Sequence, residues 1–143
     1  MSRLFSHNAY SVLGLDTTAS QKEISRRSKE IQHKLWADEL PEYETDIDTI
    51  NKIVRNESSV NDAIQRLSSP VKRIPEYFFW FEIENDADEN NRSLLRDNQY
   101  DEALDDWIER AEKSLTAKRN LAIASSLLLN HTGYKKYLKL SVD

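Results

Sequence analysis

Two glycines and three prolines in 143 residues leave little material for the tight turns of a β-rich fold, and this scarcity limits the chain more than any other feature. Between them run long stretches in which apolar residues recur every three or four positions, the period of a helix buried on one side. The expectation is an all-α fold. With 38% hydrophobic residues the chain can bury one core, either as a single domain or as a small domain with a helical extension.

Local chemistry suggests where the helices begin and end. Asn8 can cap a short helix that turns Tyr10 and Leu13 inward, and Gly14 stands where such a helix needs a left-handed residue to stop. Ser20-Gln21-Lys22-Glu23 has capping-box form, with the Ser20 hydroxyl on the Glu23 amide and the Glu23 carboxylate reaching back to the Ser20 amide. Ile24, Ile31 and Leu35, with small Ser28 between them, then form one stripe, and Pro41 sets the latest end of this second helix. Ile47, Ile50, Ile53, Val54, Val60, Ala63, Ile64 and Leu67 keep helical spacing from about Asp46 to Leu67, with a weak stretch at Asn56 to Ser59. The second helix is the expected partner of this stripe, antiparallel to it.

Ser69-Pro70 reads as an N-cap followed by proline in the first turn, and Ile74-Pro75 predicts a re-start one turn later. Tyr77, Phe78, Phe79, Trp80 and Phe81 follow without a break, too many consecutive aromatics for one core face. The organisation expected is residues 1–81 as a first unit, residues 82–91 as an acidic connector, and residues 92–143 as a helical hairpin. In that hairpin Tyr100, Ala103, Leu104, Trp107, Ala111 and Leu115 make one stripe, and Thr116 can cap a helix with Ala117, Leu121, Ala124, Leu128 and Leu129 inward. Gly133 is the expected end of that helix, leaving Tyr134 to Leu140 as a short tail.

A formal net charge of −5 weighs against a non-specific nucleic-acid binder, which needs excess cations to displace phosphate counterions. The absence of cysteine excludes disulfides and thiolate metal sites and fits a reducing compartment, with the cytoplasm as the expected location. No apolar signal core and no run of about 18 apolar residues points to a membrane. Asp86, Asp88 and Asn90 imitate half of a calcium loop, but Asn91 stands where glycine is wanted and Asp97 where glutamate is usual. His7, His33 and His131 show no ligand spacing, and no nucleophile, base and orienting group stand together, so neither a metal, a cofactor nor a catalytic residue is expected.

Three blocks of sequence, in order, resemble the DnaJ-type J domain: Asn8-Ala9-Tyr10-Ser11-Val12-Leu13-Gly14-Leu15 its opening helix, Ala19-Ser20-Gln21-Lys22-Glu23-Ile24 the start of its second, and Asn61 to Arg73 the end of its third. The resemblance implies an antiparallel second and third helix joined by a loop that carries His-Pro-Asp, the signature that stimulates ATP hydrolysis by a DnaK-type chaperone. Counted from Glu23-Ile24, that signature falls on Trp36-Ala37-Asp38, where only the aspartate remains, and the stretch after Asp38 is longer than in the family. Lys22, Arg26, Lys29 and His33 recur at helical spacing opposite Ile24, Ile31 and Leu35, with Arg27 and Lys34 beside them. In the family the corresponding basic face docks on an acidic surface of the chaperone.

The function expected is therefore a non-catalytic J-like regulator or adaptor, binding a DnaK-type chaperone or another J protein through Lys22, Arg26, Arg27, Lys29, His33, Lys34, Trp36, Ala37 and Asp38 without activating it. The alternative is a scaffold that binds an unrelated protein through Tyr77, Phe78, Phe79, Trp80, Phe81 and Trp107. A true co-chaperone with an unorthodox loop is the third reading. Leu94-Leu95, Tyr100, Ala103 and Trp107 also resemble the packing pattern of a tetratricopeptide hairpin, although a single unit cannot build a solenoid.

Overall fold

The computed structural model describes residues 7–132, with side chains described through residue 129. Among these residues the regular elements are seven helices and no strand: α1 (Ala9–Val12), α2 (Gln21–Trp36), α3 (Glu57–Arg66), α4 (Pro70–Phe78), α5 (Asp86–Arg96), α6 (Tyr100–Arg110) and α7 (Leu115–Thr132). The fold is all-α.

Side-chain caps start most of the helices. Asn8 accepts from the Tyr10 amide, Ser20 from Glu23, Ser69 from Lys72 and Asn85 from Asp88. At Ser20 the box closes differently from the expectation, because the Ser20 hydroxyl donates to the Glu23 carboxylate. The reciprocal box belongs to α3 instead, where Asn56 and Ser59 satisfy each other's amides. The cap of α7 is Ser114, whose hydroxyl accepts from the Ala117 amide, while Thr116 donates to Glu82. Gly133 and Tyr134 to Leu140 lie outside the described residues.

Three helices end in one motif. Beyond α1, α2 and α5 the residues Gly14, Asp38 and Asn98 take φ of 65°, 58° and 65°. At each, the next amide returns to a carbonyl five residues back: Leu15 to Tyr10, Glu39 to Lys34 and Gln99 to Leu94, at 2.8–2.9 Å. This is the Schellman ending, which satisfies the last carbonyls of a helix by a left-handed residue.

Two stretches depart from the helical expectation. Between Asp46 and Asn56 the chain makes one turn, with the Ile50 and Asn51 amides on the Ile47 carbonyl, and then runs without regular structure to α3. Ile47 and Ile50 are buried, but Val54 is exposed. Pro75 does not re-start a helix; it lies inside α4, a short helix that tolerates one missing amide. Residues 82–91 are likewise less of a connector than expected, because α5 begins at Asp86 and buries Asp88 and Asn91.

α1 packs on α3 and α4, and α2 packs on α3. Gln21 at the start of α2 meets Arg73 beyond the end of α3, and Gln32 near its end meets Asn61 in α3, so the two helices run in opposite senses. Ile24 and Ile31 are buried between them, and Leu35 is half-buried at the edge. α5, α6 and α7 pack in sequence, with short links that make neighbours antiparallel. One apolar core runs through both groups. Arg92 of α5 pairs with Asp16, the Thr49 hydroxyl donates to the Leu95 carbonyl, and Arg96 donates to the Glu44 carbonyl.

Gly14 is where the first ending and the long α2–α3 segment meet. A Cβ there would come within 2.4 Å of the Tyr43 ring on an already left-handed residue. Gly14→Ala is expected to cost about 1–3 kcal/mol in urea denaturation, whereas Asp38→Gly, free of such a contact, should be neutral or stabilise by up to about 1 kcal/mol.

Candidate functional site

The outward face of α2 carries the expected cations, but the structure divides them. Lys22, Arg26, Lys29 and His33 are exposed, and among the described residues none of them joins an ion pair. Arg27 turns instead to the Leu13 and Gly14 carbonyls at 3.0 and 2.8 Å and lies 3.9 Å from the centroid of the Tyr43 ring. Lys34 pairs with Glu30 and leans toward the same ring. Arg27 is therefore a structural residue, and its sequence position beside the stripe gave no sign of that, because its partners lie in α1 and the loop.

Trp36, Ala37 and Asp38 close the helix and form no loop of their own. Trp36 is the last helical residue and is 73% exposed, its ring edge-on to His33 at 5.5 Å. Ala37 is the C-cap, with its amide on the His33 carbonyl, and Asp38 is the left-handed residue of the ending. Gln32, Leu35 and Trp36 face Val60 and Asn61 of α3 across a groove of about 290 Å³. The face thus combines Lys22, Arg26, Lys29 and His33 with an exposed indole at its end.

Behind it, Arg55 holds the α2–α3 segment. Its guanidinium makes a bidentate pair with Asp46 at 2.7 and 2.8 Å and donates to the Val12, Ser11 and Pro41 carbonyls. Both charged side chains are over nine-tenths buried. Tyr43 sits over this group, and burial raises its pKa above the ordinary tyrosine value, with Glu30 adding to the rise and Arg27 opposing it. A helix over residues 46–56 could not deliver Arg55 to all these partners.

The aromatic block splits by helix geometry. α4 ends at Phe78, so Trp80 and Phe81 turn inward from the segment beyond it, and Phe81 stacks on Trp107 at 5.7 Å. Trp80, Phe81 and Trp107 are core residues and cannot serve as a surface. Tyr77 is half-buried and donates to Glu82 at 2.5 Å, while Phe78 and Phe79 remain exposed. The second candidate surface is reduced to Tyr77 and Phe78 at the end of α4 and Phe79 just beyond it.

Asp86 and Asp88 stand in the first turn of α5, not in a calcium loop. Asp88 accepts from the Trp107 indole, Arg110 and the Glu84 amide, and no group of three or more metal-ligating side chains occurs among the described residues. Burial opposes the charge on Asp88, but the hydrogen bonds from Arg110 and Trp107 outweigh it and hold its pKa below the aspartate range. Asp106 follows the same pattern through Arg110 and Asn91. The Tyr77 hydroxyl, then Thr116 and Arg119, lowers Glu82 against the effect of burial. Compared with protein-family models, curated proteins and solved structures, the chain finds no match in any of the three.

Removing Arg55 strands a buried carboxylate, so Arg55→Met is expected to cost about 3–5 kcal/mol in urea denaturation, with partial recovery when Asp46→Asn is added. The lowered carboxylates give stability that is complete above the ordinary carboxylate values near pH 4 and is lost as pH falls through their folded values. Melting temperature should accordingly drop below about pH 4, and less steeply in Asp88→Asn, which starts from a lower plateau.

Proposed function

We propose that the chain is a non-catalytic protein-binding adaptor that docks through the outward face of α2, on a DnaK-type chaperone or another J protein, without stimulating ATP hydrolysis. The observation that carries this reading is the row Lys22, Arg26, Lys29 and His33, exposed and outside any ion pair among the described residues. Lys22, Arg26 and Lys29, solvated in the free protein, keep their charge available for an acidic partner, and the gain is in association rate and orientation more than in bulk affinity. The choice of partner rests on the resemblance of the helix openings to the J domain.

The lack of stimulation follows from where Trp36-Ala37-Asp38 lies. A group that acts on a partner's chemistry must be held at the right place within about 1 Å, and Asp38 is committed to ending α2. Restoring the signature residues in place does not restore a loop. Proline at position 37 would remove the amide bonded to His33 and crowd that carbonyl.

Purified protein should bind an immobilised DnaK-type chaperone in low salt and release as salt shortens the screening length below about 8–10 Å. Reversal of Lys22, Arg26 and Lys29 to glutamate should abolish binding without lowering the melting temperature. Steady-state ATPase should stay at the basal rate, and Trp36→His with Ala37→Pro should add no stimulation while destabilising the fold. Binding that survives the triple reversal would refute the docking face, and stimulation by the unmodified protein would promote a true co-chaperone.

A further inference from the structure

Two helices turn charge of opposite sign to solvent. On α2, Lys22, Arg26 and Lys29 lie along the line opposite buried Ile24 and Ile31, and on α6, Glu102, Asp105 and Glu109 lie along the line opposite buried Ala103, Leu104 and Trp107. All six are exposed, and among the described residues none of them joins an ion pair. The neighbouring opposite charges are already engaged. On α2, Glu30 pairs with Arg27 and Lys34, and Glu23 accepts from the Ser20 hydroxyl. On α6, Arg110 is the sole cation and pairs with Asp88 and Asp106, while Lys113 and Lys118 are exposed beyond the helix. Like charges three and four positions apart repel, so each line is a cost to its own helix that an opposite line laid against it would remove.

The two lines match in length and in spacing. The first and last charges of each are seven residues apart, about 10 Å of helix at roughly 1.5 Å per residue. From Lys22 the steps are four and three, and read backward from Glu109 they are again four and three. An antiparallel approach therefore sets Lys22 against Glu109, Arg26 against Asp105 and Lys29 against Glu102, whereas a parallel approach misplaces the middle pair by one residue. In the antiparallel register Trp36, exposed at the end of α2, runs past the start of α6 toward the exposed link of Asp97, Asn98 and Gln99. Complementary charge fixes partner and orientation in this way, and here every copy of the chain carries both halves.

We propose that the chain self-associates, the cationic face of α2 in one copy lying antiparallel on the acidic face of α6 in another. The two faces differ, so the contact is heterologous: it closes into a dimer if both contacts form at once and extends into a chain of copies if they do not. Exposed ion pairs contribute little each and are screened over about 8–10 Å at ordinary ionic strength, so three of them make a weak, salt-sensitive contact. The pairing does not depend on a chaperone partner, but it occupies the same three cations, and a self-associated copy has its α2 face covered.

The test is sedimentation equilibrium of the full chain, alone, at concentrations up to about 1 mM. In low salt it should associate with Kd on the order of 100 μM to 1 mM, and in about 0.5 M salt it should be monomeric. Lys22→Glu and Glu109→Lys should each weaken association about fivefold or more, and the milder Lys22→Gln and Glu109→Gln about two- to threefold. Lys22→Glu combined with Glu109→Lys leaves the net charge unchanged and should recover the native Kd to within about twofold. Lys22→Glu combined with Glu102→Lys has that same net charge but the wrong register, and should stay about fivefold weaker or more. A monomer at about 1 mM in low salt would overturn the proposal, as would association indifferent to salt, or recovery by the Glu102 combination in place of the Glu109 one. So would association that Ile74→Glu, on the exposed side of α4, abolishes while Lys22→Glu and Glu109→Lys leave it intact.

Discussion

The fold hangs on a buried arginine. Arg55 satisfies carbonyls at the end of α1 and at the start of the α2–α3 segment while paired to Asp46, so one side chain fixes the position of a stretch that has almost no regular structure. A buried pair of this kind contributes little net stability over an apolar substitute, but it is intolerant of losing one partner, which makes it a device for specifying a path. With that path set, Tyr43 lands on Gly14, Ile47 and Ile50 enter the core, and Thr49 and Glu44 reach α5. The two helical groups are thus joined through a segment whose shape is dictated by electrostatics.

What could be read in the residues was local. Asn8, Ser20 and Ser69 cap their helices because a short polar side chain meets amides two or three residues on, and Ile24 and Ile31 share a buried face because their spacing puts them there. The failures share the opposite cause. Ile47, Ile50, Ile53 and Val54 fit a helical period, yet Arg55 draws the chain out of it toward carbonyls more than 40 residues away in sequence. Arg27 reads as a surface cation until its partners, the Leu13 and Gly14 carbonyls just beyond α1, are known. Trp80 and Phe81 change sides with respect to Phe78 because the helix stops between them, and a period says nothing beyond the element that carries it.

The same division applies to the candidate site. Lys22, Arg26, Lys29 and His33 could be placed on one face from spacing alone, and they are exposed there. That Trp36, Ala37 and Asp38 end a helix was hidden, because aspartate ends helices in a left-handed conformation far less often than glycine or asparagine. Asp38 therefore closes α2 with its backbone while its side chain stands exposed beside the indole of Trp36.

The orientation of α4 follows from the same preference for satisfied charge over buried hydrocarbon. Arg66 of α3 and the Ala9 amide that opens α1 converge on the Glu76 carboxylate, and Asn8 donates to its carbonyl, so α1 and α3 both depend on the placement of that residue. A roll of α4 by half a turn would bury Val71, Ile74 and Phe78, a gain of roughly 1.5–3 kcal/mol for each fully buried side chain. It would also expose the Ala9 amide and break the Arg66 pair, and breaking a buried pair alone costs about 3–5 kcal/mol, with α1 losing its anchor to α4 in addition. The two totals are of similar size, so the bonds to Glu76 offset most of what burying these side chains would gain.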